Sequence, residues 1–155
     1  MALTRDKFFR QIDSLIKSDG FAFICIGADT VSPGFAYTVG LTETYGCPEL
    51  MIFGVGNEVA NVVFHAVVSK IKAGEQLKDG DVLVNVLNLA CTIRQVTGEA
   101  ASPYALNAIR RYEGSLQKPA FQQIVYPDQA NVLPWEPGYD ERLRRIQREL
   151  WKSLH

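Results

Sequence analysis

Apolar residues recur at helical spacing through Phe8, Ile12, Leu15 and Ile16, with Arg10, Asp13 and Lys17 between them. This rhythm predicts a helix that Thr4 caps and Gly20 ends. The pattern then changes. Phe21 to Ile26 is a short continuous apolar run with aromatic and β-branched members, which predicts a strand buried on both faces. After the loop at Ser32-Pro33-Gly34, Phe35 to Leu41 and Leu50 to Val55 read as two more strands around the turn-rich Glu43 to Pro48, so the three form a meander.

Helical spacing returns from Asn57 to about Ala73, with Val59, Val62, Val63, Ala66 and Val67 assigned to the apolar side and Gly74 behind them. Asp79-Gly80 predicts a turn, and Val82–Leu87 and Leu89–Val96 predict strands; in the second, Leu89, Cys91 and Ile93 alternate with Ala90, Thr92 and Arg94. Ser102-Pro103 predicts a helix start, since serine caps free N–H groups and proline loses no hydrogen bond at the first helical position. That helix is expected to end near Gly114, with a sixth strand at Ala120–Tyr126. A proline-punctuated loop follows, then a last helix that docks Leu143, Ile146, Leu150 and Leu154 on the core. Strands in neighbouring pairs predict an α+β fold: a mostly antiparallel sheet of about six strands with helices packed against it.

Length and composition narrow the picture. One globular domain spanning 1–155 is expected at this size, and a hydrophobic fraction of 47% is enough to build a core. Sixteen basic against seventeen acidic residues provide no broad positive field, so nucleic acid is not an expected partner. The amino terminus does not read as a secretory leader, and Leu50 to Ala66 is too interrupted to span a bilayer. Cys25, Cys47 and Cys91 are odd in number and far apart, which fits reduced thiols in a cytoplasmic protein.

Candidate chemistry is sparse. With two histidines and no Cys-x-x-Cys, no metal site is expected. His65 falls on the polar helix face with Glu58, Asn61, Ser69 and Lys72, placed either for acid–base work in a cleft or simply for solvent. Cys25 and Cys91 read as core, and Cys47 lies in a turn with no base nearby in sequence. Gly54-Val55-Gly56-Asn57-Glu58 sits where a strand turns into a helix, the position of dinucleotide-binding loops. The third glycine is missing at Val59, and Glu58 opposes a phosphate, so a plain tight turn competes with that reading. Polar and aromatic residues also gather in two segments: Tyr37, Thr38, Glu43 and Glu49 in one, and Gln123, Asp128 and Trp135 in the other. These seven are the candidate ligand-binding residues, and His65, Glu49 and Asp128 are the candidate catalytic ones. The competing reading gives Tyr, Thr and Gln to local backbone groups and makes Trp135 a plug against the sheet.

Two stretches carry a resemblance: Phe35 to Gly54, with Tyr-Thr-Val-Gly-Leu followed by Pro-Glu-Leu, and Phe121 to Asp140, with Phe-Gln-Gln-Ile-Val-Tyr-Pro-Asp. They resemble the largely bacterial family called domain of unknown function 4262. The resemblance implies a location for a site and no reaction. This chain departs from that family's pattern near Cys47, at Asn131-Val132-Leu133 and at Gln147-Arg148. Three functions are compatible with the residues. The first is a small-molecule-binding domain, enzymatic or not, with a pocket between the 37–49 segment and the 128–135 loop. The second is a flavin-binding protein, by loose likeness to split barrels. The third is a non-enzymatic module that meets a protein partner, or a second copy of itself as a homo-oligomer, through Tyr45, Tyr126 and Trp135 or through the last helix.

Overall fold

The computed structural model describes residues 4–154. Residues 1–3 and 155, and the side chains of 153 and 154, lie outside the described residues, and with them the expected contact of Leu154. The first helix, α1 (Arg5–Asp19), begins where Thr4 accepts from the Lys7 N–H, and ends at Gly20 in the left-handed conformation. Strands β1 (Ala22–Ile26), β2 (Phe35–Val39) and β3 (Glu49–Phe53) make the antiparallel meander. A short helix α2 (Leu41–Tyr45) fills part of the segment expected as a turn. The long helix α3 (Asn57–Lys72) crosses to a second meander of β4 (Val82–Val86), β5 (Leu89–Val96) and β6 (Phe121–Val125).

The third strands of the two meanders meet in the middle of the sheet. Its order is β1-β2-β3-β6-β5-β4, antiparallel throughout except for the central β3–β6 pair, which is parallel with Glu49 opposite Phe121 and Met51 opposite Gln123. The fold is α+β, and β1 and β4 are the two edges of an open sheet. One face packs Ala36, Leu50, Ile52, Ile93 and Ile124 against α3. On the other, Tyr37, Val39, Met51, Phe53, Val96 and Phe121 meet α1 and the short helices α4 (Gly98–Ala101) and α5 (Leu106–Arg111).

Several elements differ from the sequence expectation. The buried stripe of α3 is Ala60, Val63, Phe64, Val67 and Val68, whereas Val59 and Val62 are exposed. Apolar residues ring much of this helix, so spacing alone does not choose a face; Phe64, the largest, meets Phe23 with the rings tilted by 58° and their centres 5.5 Å apart. The helix expected from Ser102 is two pieces. Thr97 caps α4 by accepting from the Ala100 N–H at 3.0 Å, Ser102 ends it, and Pro103 falls in the turn before α5. The last helix is instead two 3-10 segments, Glu141–Arg145 and Leu150–Leu154, and Ile146 between them is exposed. β1 is an edge strand in which Ala22 and Ile24 are buried, Phe23 and Cys25 half-buried and Ile26 exposed, so it falls short of the burial on both faces that its apolar run predicts.

Candidate functional site

Glu49 opens β3, and its carboxylate is fully buried. Thr38 Oγ1 donates to Oε1 at 2.8 Å and Leu41 N at 3.1 Å; Gly40 N, Thr42 N and the Tyr112 hydroxyl donate to Oε2 at 3.2, 3.0 and 3.0 Å. Thr38 in turn accepts the Leu50 N–H at 2.8 Å where β2 and β3 part. Desolvation pushes the Glu49 pKa up, and the bonds from Thr42, Thr38 and Leu41 pull against it. With five donors on two oxygens and no exposed surface, Glu49 staples the β2–α2 corner to β3.

The other residues of the first segment are also committed. Tyr37 is buried, and its hydroxyl accepts from the Asn107 backbone and carboxamide at 3.1 and 3.0 Å. Glu43 is exposed and paired with Arg111, which also holds Asp13 at 2.7 Å. Hydrogen bonding to Glu43 raises the Arg111 pKa further, so its charge is permanent. The Cys47 thiol is pushed up to about 11 by burial and by the nearby Glu49, which keeps it protonated and a poor nucleophile.

Asp128 sits at the far end of the sheet. Because β3 and β6 run in parallel, the chain from Phe121, beside Glu49, must traverse about 13 Å of strand to reach Val125. Asp128 lies beyond that point, where its Oδ1 accepts from Ala130 N and Val132 N and its Oδ2 from Asp140 N, each at 2.9 Å. The bond from Val132 is the largest cause of its lowered pKa. The Trp135 ring lies 4.8 Å from the Arg94 guanidinium and meets Trp151 edge to face. Gln123 is buried under the carboxy-terminal segment, and His65 is exposed with its ring 5.0 Å from Phe21. Glu49 and Asp128 therefore lie at opposite ends of the sheet, and of five clefts among the described residues none is lined by residues of both the 37–49 segment and the 128–135 loop.

A cleft of about 1000 Å³ lies elsewhere. Its walls are the β1–β2 loop, the Gly54–Asn57 turn into α3, and Arg144, Arg145, Ile146 and Arg148. Gly56 precedes α3 and offers no side chain to cap it, so the first N–H groups of a sixteen-residue helix have no side-chain acceptor. Glu58 is not part of the lining. Asp29 is, but its Oδ1 is taken by the Val31 and Ser32 N–H groups at 2.8 and 2.7 Å. Arg144 is spent on Glu141, Glu149 and the Pro134 carbonyl. Arg145 has no ion pair among the described residues, and Arg148 donates only a 3.4 Å bond to Val31 O while its Nε is buried without a partner. Cys25 also lines the cleft, and burial raises its pKa. In the sequence the Gly54-to-Asn57 turn was visible as a strand-to-helix junction; the arginines carried no signal, because nothing local ties residue 54 to residues 145 and 148.

Fold and site together define an α+β domain with an open mixed sheet and a cationic cleft at the amino-terminal end of its longest helix. The family model "Domain of unknown function (DUF4262)" matches residues 15–140, and the chain belongs to that family. No curated protein and no solved structure matches the chain. The matched span contains the sheet and the helix terminus, whereas Arg144, Arg145 and Arg148 lie beyond it. No helix among the described residues is long and apolar enough to cross a membrane, and no group of three metal-ligating side chains occurs among them.

Proposed function

We propose that this chain is a small-molecule-binding domain whose ligand is a compact anion seated in the cleft between the β1–β2 loop, the Gly54–Asn57 turn and the Arg144–Arg148 segment. The observation that carries this reading is charge placement: two guanidiniums without a carboxylate partner share one cleft with the uncapped start of α3. Oriented N–H groups and a guanidinium fork both favour a phosphate or carboxylate group. Ile26, Val31, Val55 and Ile146 supply apolar contact for the rest of a ligand, and the volume suits a small metabolite. The raised Cys25 pKa supports binding over thiolate chemistry in this cleft.

A thermal-shift series with inorganic phosphate, pyrophosphate and citrate tests the reading. A ligand that binds only the folded chain stabilises it by about 2.7 kcal/mol at a hundredfold excess over Kd. Pyrophosphate is expected to raise the melting temperature of the wild type, and Arg145→Gln with Arg148→Gln is expected to abolish most of the rise. The reading fails if no anion shifts the wild type, or if the double variant responds as the wild type does.

A further inference from the structure

Ion pairing sorts the arginines of the carboxy-terminal segment. Arg142 is taken by Asp140, and Arg144 by Glu141 and Glu149, which also holds Lys152. Arg145 and Arg148 are left to the cleft, and they flank Gln147, whose side chain is completely buried. The Gln147 carboxamide acts like a strand backbone: Oε1 accepts from Tyr126 N at 3.0 Å, and Nε2 donates to Tyr126 O at 2.9 Å and to the Tyr139 hydroxyl at 3.2 Å. One residue earlier, Ile146 lies against Gly54, with no space left for a Cβ there. One residue later, Gln123 on β6 donates to Arg148 O and accepts from Leu150 N.

The segment has neither an α-helix nor a strand ladder to hold it, since its backbone is two 3-10 pieces on either side of these contacts. We infer that Gln147 is the positioning residue of the cleft: by locking the chain between Arg145 and Arg148 to Tyr126, it holds the two guanidiniums as a preformed cationic wall opposite the α3 terminus. This rests on the anion-binding reading above. An arginine on a mobile backbone must be ordered when the anion arrives, and that ordering weakens binding; a pinned backbone has already met part of that cost. The cleft then joins walls from inside the 15–140 family match, the β1–β2 loop and the Gly54–Asn57 turn, to arginines that lie beyond it.

The test is calorimetric titration of pyrophosphate into four proteins: wild type, Gln147→Met, Tyr139→Phe and Leu83→Ala. Gln147→Met keeps the volume and both arginines but removes the bonds to Tyr126. Tyr139→Phe removes only the third bond and is the milder variant should Gln147→Met not fold. Leu83 is buried on β4 in the α3-side core, so Leu83→Ala lowers stability without touching the cleft. The expected result is a Kd raised about tenfold by Gln147→Met, raised about threefold by Tyr139→Phe, and unchanged in Leu83→Ala despite a lower melting temperature. Wild-type affinity in the Gln147→Met and Tyr139→Phe proteins overturns the inference and leaves the anion reading standing. Equal weakening in Leu83→Ala also overturns it, because loss of stability alone would then account for the effect. Absence of binding by the wild type overturns the anion reading, and this inference with it.

Discussion

At the scale of single residues, Glu49 shows how a buried charge becomes structural. Removing its carboxylate strands three backbone N–H groups and two hydroxyls in a region no water reaches. Each unsatisfied buried donor is costly, so Glu49→Ala is expected to lose about 3 kcal/mol or more in urea unfolding at pH 7. Glu49→Gln, which keeps one acceptor oxygen but turns an NH₂ toward the remaining donors, should fall between the two. A loss below about 1 kcal/mol for Glu49→Ala would contradict the staple role. The acidic character of position 49 was plain in the sequence. That it serves as an internal acceptor was not, because Gly40, Leu41 and Tyr112 contribute through backbone direction and a contact across 63 positions.

At the scale of elements, the strand-to-helix turn and the carboxy-terminal segment fit because position 54 lacks a side chain. Gly54 has φ 78°, and a Cβ would overlap Ile146 and come within 2.6 Å of the Tyr126 hydroxyl, which itself donates to Phe53 O at 2.7 Å. Gly54→Ala should destabilise the fold by about 2 kcal/mol from strain and overpacking together. Gly27→Ala, where a Cβ meets nothing within 4 Å, should be close to neutral; equal effects in denaturant unfolding would refute the close-packing argument. The 128–140 loop depends instead on a carboxylate. The folded pKa of Asp128 lies below its unfolded value, so its contribution is present above about pH 4 and is lost as pH falls through the folded value. Asp128→Asn is therefore expected to melt below the wild type at pH 7, with the gap closing at acid pH. A gap independent of pH would show that the carboxylate is not what ties the loop.

At the scale of the whole molecule, local signals and long-range arrangement part company. Six strands, the caps at Thr4 and Gly20 and the long central helix were legible, since alternation, helical spacing and capping chemistry act within a few residues. Spacing does not choose the buried face of α3 because the helix is apolar on several sides, and the expected final helix is two 3-10 segments on either side of Gln147, which binds the Tyr126 backbone. The two polar-aromatic segments stand out in the sequence as candidate binding groups. Their chemistry is internal: one staples a corner and the other ties a loop. What the chain determined by itself is its six strands, its first helix and its long central helix, and the glycine turn into α3, all consequences of near-neighbour chemistry. Only the tertiary structure decided which strands lie side by side. The parallel β3–β6 pair, joining segments some seventy residues apart, sends Glu49 and Asp128 to opposite ends of the sheet and brings the carboxy-terminal arginines to the helix terminus. Strand order and direction are fixed by packing among distant residues, and a pattern read along the chain holds no record of them.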